Sequence, residues 1–377
     1  MRIGIDISQI VFRGTGVATY TKNLVDGLLE IDKENEYVLF GSSLRLKHFL
    51  DNYHTTYSSQ SEAKFYQIPP AVFEFLWNRL HIVPIERFTG KLDVFHTSDW
   101  LEPPARCPKV TTIHDLAIFK YPESFTPFGG HDIVQNLKRK LKWVKKESDL
   151  VITVSQNSKE DIIDILEIPQ ERIRVVYEAC DAEFVQKSDE SVERIKKKYG
   201  IKGDYILAVG TREPRKNLER VIEAFSAVSG QGLAVSLVIA GKFGWGRDIE
   251  NLKFKIKNLK LLGYVPHDEL PALYSGARVF VYPSLYEGFG LPVLEAMNCG
   301  CPVVTSNVSS LPEVAGDAAV LVNPESIEEI AGGLDKVIRD KNTRDILIKK
   351  GLERVKEFSW KKTARETLKV YEEACNK

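Results

Sequence analysis

Short apolar runs alternate with amphipathic stretches through the first half of the chain. The apolar runs predict strands at residues 2–7, 37–40, 92–96, 109–113, 150–154 and 172–176. Between them, residues 17–30 and 155–166 have helical periodicity, and Ser155 stands where a helix N-cap is expected. Apolar runs bounded by turns suit parallel strands that are buried on both faces. We therefore predict an α/β fold with a doubly wound parallel sheet.

The same alternation starts again after a polar stretch at residues 180–191 (CDAEFVQKSDES). The second half predicts strands at residues 205–209, 235–240, 259–262, 279–282, 302–305 and 319–321. The last amphipathic helix is predicted at residues 361–375. A chain of 377 residues is too long for one ordinary core and suits two domains. We expect two similar α/β domains, with ligands bound at the carboxyl ends of their strands, in a cleft between them.

Composition excludes several classes of protein. Hydrophobic residues make up 43% of the chain, and 52 basic residues balance 52 acidic ones, which disfavours nucleic acid as a partner. The five cysteines lack the spacing of a disulfide framework or a zinc site, and Cys299 and Cys301 are predicted to be small buried residues. No run of 18 apolar residues occurs, and residues 1–8 lead directly into a strand. We expect a cytoplasmic protein.

The segment YEGFGLPVLEAMNCG, residues 286–300, carries two glutamates at a junction of strand and helix. We predict a helix at residues 291–299, with Pro292 at its first position and Gly300 just beyond its end. The N–H groups at the start of such a helix can hold a phosphate without a metal. Glu287 would then face the reacting end of the ligand, and Glu295 would bind hydroxyls beyond the phosphates. The alternative is a helix-capping Glu287 and a solvated Glu295.

A second segment suited to phosphate is AVGTREPRKNLERVIEAF, residues 208–225. It places Arg212, Arg215 and Lys216 in a turn between a predicted strand and helix, where their charges can hold a diphosphate. The sequence contains no Asp-x-Asp, the usual carboxylate pair for a divalent metal on a nucleotide diphosphate. The basic residues would then replace the metal. The alternative is a solvated pair in a surface turn.

Together with RGTGVATYTKNLV (residues 13–25) and the long segment at residues 262–324, these motifs resemble the retaining GT-B glycosyltransferases of family 4. The resemblance covers nearly the whole chain, and segments similar to residues 210–217 and 286–296 recur in the mannosyltransferase-like branch that builds surface polysaccharides. It implies a GT-B fold, in which two Rossmann-like domains face each other across a cleft. Residues 1–182 would bind the acceptor and residues 183–358 the nucleotide-sugar donor, while a helix at residues 359–377 packs back on the first domain. It also implies metal independence, and GDP-mannose is the favoured donor.

The resemblance also implies roles for individual residues. Arg215 and Lys216 would bind the donor phosphates, Glu287 the hydroxyls of the donor sugar and Glu295 the ribose. The remaining donor contacts would come from the main chain at Val265, from the backbone N–H groups of Phe289, Gly290 and Leu291, and from the first turn at Gly14 and Gly16. The family usually has two adjacent glycines in this first turn, whereas here Thr15 separates Gly14 from Gly16.

His114 and Asp115 follow a predicted strand end in the first half of the chain. The resemblance implies that His114 touches the donor sugar. The alternative is a structural histidine that caps the strand and bonds to Asp115. His96, Asp99 and His131 are weaker candidates, and His131 would line the acceptor side.

For the reaction, the resemblance favours attack on the same face of the sugar that the diphosphate leaves. The diphosphate, held by Arg215, Lys216 and the helix N-terminus, would itself take the acceptor proton. Glu287 would orient the sugar and need not be a nucleophile. Retention through a covalent intermediate would require a carboxylate just below the anomeric carbon, and the sequence does not identify one.

Residues 137–146 combine basic and apolar side chains on one predicted helix. The basic residues are Lys138, Arg139, Lys140, Lys142, Lys145 and Lys146, and the apolar ones are Leu137, Leu141 and Trp143. Such a helix could press onto an anionic membrane at its inner face, as enzymes with lipid-linked acceptors do. The alternative is a solvated helix face.

Other classes of protein share parts of this pattern. An NAD-dependent oxidoreductase would use the first Gly-x-Gly, but residues 8–13 separate it from the strand, and Thr19 stands where the third glycine belongs. A nucleotide-sugar epimerase and a non-catalytic sugar-binding protein could use the same scaffold. A phosphorylase would need a lysine that carries pyridoxal phosphate, and no such lysine is identified.

Overall fold

The computed structural model describes residues 1–57, 59–97, 99–125, 130–229, 235–242, 244 and 256–377, with backbone alone at 130–132. The chain forms two compact units. The first consists of Met1–Glu178 together with Ser359–Lys377, and the second of Ala179–Phe358. No described helix is long and apolar enough to cross a membrane.

In the described residues, the first unit contains a parallel sheet of seven strands in the order β3-β2-β1-β4-β5-β6-β7. The strands are β1 (Arg2–Asp6), β2 (Glu36–Ser42), β3 (Ser61–Tyr66), β4 (Val94–Thr97), β5 (Lys109–Ile113), β6 (Leu150–Thr153) and β7 (Ile173–Val175). Its helices are α1 (Gly16–Ile31), α2 (Lys47–Thr55), α3 (Pro70–Phe73), α4 (Glu86–Thr89), α5 (Ala117–Lys120), α6 (Gly130–Glu147) and α7 (Gln156–Leu166). The strands β4, β5 and β6 are buried at every position, as expected for parallel strands covered on both faces.

The second unit has the same kind of sheet, with six strands among the described residues in the order β10-β9-β8-β11-β12-β13. The strands are β8 (Asp204–Val209), β9 (Val235–Ala240), β10 (Leu259–Gly263), β11 (Val279–Tyr282), β12 (Val303–Ser306) and β13 (Ala319–Val322). Its helices are α8 (Asp189–Tyr199), α9 (Leu218–Ser229), α10 (Leu270–Gly276), α11 (Leu291–Asn298), α12 (Leu311–Ala315), α13 (Ile327–Arg339) and α14 (Lys341–Val355). A core that includes Phe225, Leu237 and Leu334 joins one face of the sheet to α9 and α13.

The C-terminal helix α15 (Trp360–Cys375) belongs to the first unit, although the chain has already completed the second. It packs on α1 at Gly27, where an added Cβ would lie 3.0 Å from the carbonyl oxygen of Trp360. The Tyr371 hydroxyl lies 2.6 Å from Nδ1 of His96 in β4, and Thr363 donates a hydrogen bond to the carbonyl of Tyr177 at 2.7 Å. The helix is therefore an integral layer of the first unit.

All the strands predicted from the sequence are present, with ends that differ by at most two residues. Ser155 caps α7 as predicted, because its Oγ accepts a hydrogen bond from the Ser158 N–H at 3.0 Å. Strand β3 was not predicted. It lies at the edge of its sheet and leaves every residue at least partly exposed, so its sequence SEAKFY lacks the apolar run of a buried strand.

Candidate active site

In the second unit, the turn between β11 and α11 carries Glu287. Gly290 caps α11 with a φ of +115°, and an added Cβ there would lie 2.7 Å from Cδ2 of Leu311. Only glycine combines this backbone angle with the close approach of Leu311. Pro292 occupies the second helical position and not the first, because the helix begins at Leu291.

The other end of α11 is closed as predicted. Gly300 has a φ of +70°. Its N–H donates to the carbonyl of Met297 at 3.0 Å, and the N–H of Cys301 donates to the carbonyl of Ala296 at 2.9 Å. These two bonds form a Schellman motif. Cys299 and Cys301 are both buried, which confirms the sequence-based prediction.

Two serines that precede α12 hold the Glu287 turn in place. The Ser309 hydroxyl accepts from the Glu287 N–H at 3.0 Å and donates to the Glu287 carbonyl at 2.7 Å. The Ser310 hydroxyl contacts the same carbonyl at 2.9 Å and the Phe289 carbonyl at 2.7 Å. The role of these two serines was not predicted from the sequence, because it depends on contacts across more than 20 residues of chain that no local motif signals.

The turn between β8 and α9 is tied to the same region by its backbone and by Asn217. Asn217 adopts a left-handed conformation, with φ of +59°, and its Nδ2 donates to the carbonyls of Pro283 at 3.0 Å and Pro324 at 2.6 Å. The Leu285 N–H donates to the carbonyl of Arg215 at 2.9 Å. Like the two serines, Asn217 was not predicted from the sequence to support the site, and it positions the two basic residues that precede it.

Arg215, Lys216 and Glu287 meet where these two turns come together. Nη1 of Arg215 donates to Oε2 of Glu287 at 2.9 Å, and Nζ of Lys216 donates to Oε1 at 2.7 Å. Nη2 of Arg215 also donates to Oε1 of Glu213 at 2.7 Å. The Lys216 ammonium further donates to the Tyr282 hydroxyl at 2.6 Å. We call this group of five side chains the cation–glutamate cluster.

The cation–glutamate cluster is largely buried, which excludes a solvated Arg215–Lys216 pair and a helix-capping Glu287. The side chains of Arg215 and Lys216 are 12% and 13% exposed, so they are not a solvated surface pair. Glu287 is 7% exposed and does not cap α11, which has no side-chain cap. Burial opposes ionisation of Glu287, but the charges of Arg215 and Lys216 outweigh it and lower its pKa to about 2. Glu287 is therefore a carboxylate at neutral pH.

Glu295 lies on the second turn of α11 in different surroundings. Oε2 of Glu295 accepts a hydrogen bond from the Tyr274 hydroxyl at 3.0 Å. Burial raises the pKa of Glu295 to about 7, and the charge of Asp181 adds to this effect. Glu295 is partly buried and hydrogen-bonded, unlike the solvated glutamate of the alternative interpretation.

The other predicted donor contacts lie at turns of both units. Val265 follows β10 with its side chain buried, which leaves its main chain as the group that can bind a ligand. The residues Phe289 and Leu291 flank Gly290 at the start of α11. The Phe289 ring packs edge-on against the Phe358 ring, with ring centroids 5.7 Å apart. In the first unit Gly14 has a φ of +78°, and nothing lies within 4 Å of an added Cβ at Gly16.

Gly14 and Gly16 do not form a dinucleotide-binding turn. A 3₁₀ turn at Ser8–Val11 separates β1 from the Gly-Thr-Gly segment, so the strand does not run directly into the glycines. Thr15 caps α1, and its Oγ1 accepts a hydrogen bond from the Ala18 N–H at 3.3 Å. This geometry disfavours the oxidoreductase alternative, in which the glycines follow the strand immediately.

His114 follows β5 in the first unit, with a carboxylate facing each ring nitrogen. Nδ1 lies 3.0 Å from Oε1 of Glu178, and Nε2 lies 3.5 Å from Oδ2 of Asp99. Burial lowers the pKa of His114, but the charges of Asp99 and Glu178 outweigh it and raise the pKa to about 9. Asp115 instead accepts a hydrogen bond from the Ala117 N–H at 2.8 Å, so the alternative of a His114–Asp115 bond is wrong.

Among the weaker histidine candidates, His96 belongs to the core. It is 3% exposed, and its ring nitrogens lie 2.6 Å from the Tyr371 hydroxyl and 2.7 Å from Oγ1 of Thr112. Burial lowers its pKa to about 3, so it is neutral. The His131 side chain lies outside the described residues. Glu178 was missed because it lies 64 residues from His114 in the sequence.

Part of the basic helix predicted around residues 137–146 is buried. Lys140 is 1% exposed and Leu141 is 4% exposed, so neither is available to a membrane. The basic side chains on the surface of α6 are Lys138, Arg139, Lys142, Lys145 and Lys146. Trp143 is partly buried and stacks on His81, with ring centroids 3.7 Å apart.

The fold first defines the class of protein. The structure of the Anabaena protein HepE in complex with UDP and glucose has a TM-score of 0.72 at 17% identity, covering 99% of this chain and 100% of that chain. WaaG, a glycosyltransferase involved in lipopolysaccharide biosynthesis, has a TM-score of 0.69 at 15% identity, covering 100% of this chain and 99% of that chain. With its two parallel-sheet units, the chain has the GT-B fold.

The sequence comparisons then define the family. The model "Glycosyltransferase Family 4" matches residues 14–184, and "Glycosyl transferases group 1" matches residues 191–354. The O-antigen chain mannosyltransferase B of Escherichia coli is 35% identical over 284 residues, which cover 74% of each chain. An uncharacterized glycosyltransferase of Methanocaldococcus jannaschii is 29% identical over 385 residues, covering 94% of each. The chain belongs to the family 4 glycosyltransferases, in a mannosyltransferase-like branch, and is a transferase.

Proposed function

We propose that the protein transfers a hexose, with mannose favoured, from a nucleotide-diphosphate sugar to a hydroxyl of a glycan or lipid-linked acceptor. GDP-mannose is the favoured donor, and the anomeric configuration is retained. The names of the relatives support the choice of mannose and a role in polysaccharide biosynthesis. The single observation that carries the proposal is the convergence of Arg215, Lys216 and Glu287 beside the start of α11.

The cluster suits a sugar diphosphate because it offers positive charge on one side and an acceptor on the other. An ammonium has three N–H donors, and Lys216 donates two of them to Glu287 and Tyr282. In the described residues its third N–H has no hydrogen-bond partner. We assign this N–H, the Arg215 guanidinium and the α11 N-terminus to the two phosphates. No metal is required in this scheme.

Glu287 acts on the sugar and not on the phosphates. Its carboxylate is ionised, since its pKa is about 2, and it can accept hydrogen bonds from sugar hydroxyls. Because the side chain is already held by Arg215 and Lys216, it presents its oxygens with little reorganisation on binding. The leaving diphosphate takes the acceptor proton during attack on the same face of the sugar.

The remaining donor contacts are those that the family resemblance implies. Glu295 would bind the ribose, and the Val265 main chain would bind the base. The backbone at Phe289, Gly290 and Leu291 would contact the donor sugar, while Gly14 and Gly16 would let the donor phosphate or the acceptor approach. His114 of the first unit would touch the donor sugar as an imidazolium, since its pKa is about 9.

A thermal-shift screen without metal tests the choice of donor. GDP-, UDP- and ADP-sugars are each added in EDTA, and the true donor should raise the melting temperature most, because a ligand stabilises the native state by its occupancy. We expect GDP-mannose to do so. Stabilisation by none of them in EDTA would contradict the proposed site.

Turnover with the best donor tests the residues and the reaction. Lys216→Ala and Glu287→Gln should both lose most of the activity, whereas the exposed Lys356→Ala serves as a control. Near-wild-type rates in both site variants would refute the assignment. The NMR coupling of the product's anomeric proton reports retention or inversion. Conversion of the donor without an acceptor would favour the epimerase, and binding without any reaction the non-catalytic protein.

We also propose that α6 contacts an anionic membrane surface. Exposed lysines and Arg139 on this helix supply positive charge. Exposed apolar side chains lie on the segment at residues 72–82, which contacts α6 through the stack of His81 on Trp143. These apolar residues are Val72, Phe75, Leu80 and Ile82. Cations beside exposed apolar groups are typical of helices that lie in the membrane interface.

Liposome flotation tests the membrane contact. The protein should float with vesicles that contain phosphatidylglycerol at low salt and less so at high salt, and Arg139→Glu with Lys142→Glu should abolish flotation. Lys349→Glu with Lys356→Glu on exposed positions of the second unit is the matched control. No flotation of the wild type at low salt would leave the solvated helix face as the correct interpretation.

A further inference from the structure

Tyr282 stands at the centre of the cation–glutamate cluster, although its sequence position carries no catalytic motif. It is the last residue of β11 and is 3% exposed. Its hydroxyl accepts from the Lys216 ammonium at 2.6 Å and donates to Oε1 of Glu287 at 2.8 Å. Its ring stacks on that of Phe280, with centroids 5.5 Å apart and planes 22° apart. The strand and the stack therefore hold the hydroxyl in one place.

The direction of each hydrogen bond follows from the groups involved. An ammonium can only donate, so the Tyr282 oxygen must accept from Lys216. The phenolic proton is then left for Glu287, which is a carboxylate and can only accept. Burial and the neighbouring Glu287 charge raise the pKa of Tyr282, so the hydroxyl keeps this proton. Removing the hydroxyl would therefore release both Lys216 and Glu287 from one anchor.

We propose that Tyr282 is a positioning residue for donor binding, whose hydroxyl holds the Lys216 ammonium so that its third N–H is aimed at the diphosphate. The lysine side chain is a flexible four-carbon chain, and a single bond to Glu287 would leave the ammonium free to rotate. Two anchors, at Tyr282 and Glu287, fix its orientation before the ligand arrives. Preorganised donors bind and stabilise charge better than mobile ones.

This inference rests on the proposed function, because it assumes that Lys216 binds the donor phosphates. The competing view is that the Tyr282 hydroxyl merely satisfies buried polar groups. Tyr205 offers a matched control for that view. It is fully buried in β8 of the same unit, and its hydroxyl donates a single hydrogen bond to the carbonyl of Leu273 at 2.6 Å.

The first experiment compares Tyr282→Phe with Tyr205→Phe. The probe is GDP, or whichever of GDP, UDP and ADP stabilises the wild type most, and its Kd is measured by calorimetry. We expect Tyr282→Phe to weaken binding and to lower kcat/KM for the donor roughly tenfold to a hundredfold, as for the loss of a hydrogen bond to a charged group. Tyr205→Phe should leave both unchanged. Equal behaviour of the two variants would overturn the proposal.

The second experiment asks whether Tyr282 acts through Lys216. Tyr282→Phe is combined with Lys216→Ala, and the double variant should bind the nucleotide no more weakly than Lys216→Ala alone. A full additional loss in the double variant would show that Tyr282 acts independently of Lys216, which overturns the inference. If Lys216→Ala itself has no effect on binding, the proposed function fails instead, so the two failures are distinguishable.

Should Tyr282→Phe fail to fold, 3-fluorotyrosine at position 282 keeps the ring and the hydroxyl but makes the oxygen a weaker acceptor for Lys216. A partial loss of nucleotide affinity is expected. Unchanged affinity in a folded protein would contradict the proposal.

Discussion

Glu287→Gln should lower the stability of the second unit without weakening the binding of a nucleoside diphosphate. The substitution keeps the shape of the side chain but removes the charge that faces Arg215 and Lys216. The pKa of Glu287 falls from its ordinary value of 4.5 to about 2 in the folded protein. Each pKa unit by which the folded and unfolded states differ corresponds to about 1.36 kcal/mol, so ionisation of this carboxylate stabilises the fold by roughly 3 kcal/mol at neutral pH.

The sign of the pH dependence follows from the lowered pKa. A carboxyl group with a lowered pKa contributes stability above its unfolded value of 4.5, and this contribution is lost as the pH falls through 4.5 towards 2. The cost of Glu287→Gln should therefore be roughly 3 kcal/mol at pH 7 and become smaller below pH 4.5. Because Arg215 and Lys216 keep some exposure to water, we expect the lower end of the range for a broken buried pair.

Urea unfolding at several pH values is the assay. Glu353→Gln, in an exposed ion pair with Lys356, is the control and should unfold like the wild type. Calorimetry with GDP adds a second measurement, in which Glu287→Gln should bind at least as tightly as the wild type because the cations are no longer neutralised. Wild-type stability of Glu287→Gln at pH 7 would refute the buried ion pair, and weaker GDP binding would refute the idea that Glu287 neutralises cations meant for phosphate.

Three other features of the sites can be tested separately. Burial raises the pKa of Glu295 to about 7, so the stability that the neutral carboxyl group contributes is lost as the pH rises from 4.5 through 7. Over the upper part of this range, as Glu295 ionises, the affinity for GDP measured by calorimetry should increase. Glu295→Gln should remove this increase, and an increase that persists in the variant would contradict the assignment to Glu295. An NMR titration of His114 should show a pKa of about 9 that falls towards 6.5 in Glu178→Gln. An unchanged value in this variant would exclude Glu178 as a cause of the raised pKa. The stability that the imidazolium contributes is present below pH 6.5 and is lost as the pH rises through 9. Gly290→Ala should lower stability by about 1–3 kcal/mol through its backbone angle and its clash with Leu311, and a thermal melt like that of the wild type would contradict this.

Local patterns in the sequence were enough to predict most strands and the elements that carry the site. Strands such as β5 and β11 are buried throughout, so their apolar runs are unambiguous. The end of α11 was also predicted, because Gly300 supplies the left-handed residue that a helix stop requires. The partly exposed edge strand β3 has no such run, and it was missed.

The supporting residues of the site could not be predicted because their roles depend on contacts between distant parts of the chain. Tyr282 contacts Lys216 across 66 residues, and Asn217 reaches the carbonyl of Pro324 across 107 residues. Ser309 holds the Glu287 turn from the next loop. No local pattern assigns a role to these side chains, and only the fold brings each of them to its partner.

Residue type also misled where burial decided the outcome. Lys140 was grouped with the basic surface of its helix, yet it is almost fully buried. Burial lowers the pKa of Lys140, and the nearby carboxylates of Glu102 and Asp99 offset only part of this effect. A sequence pattern does not reveal such compensating charges, because Glu102 and Asp99 come from the connection between β4 and β5, far from Lys140 in the sequence.

Calorimetry with GDP tests most directly whether two cations and a helix N-terminus bind a diphosphate without a metal. The wild type and Lys216→Ala are each titrated in EDTA and again in magnesium. We predict the same wild-type affinity in both buffers and a loss of roughly tenfold to a hundredfold in Lys216→Ala. Wild-type binding that vanishes in EDTA and returns with magnesium, or that is unaffected by Lys216→Ala, would contradict this mode of binding.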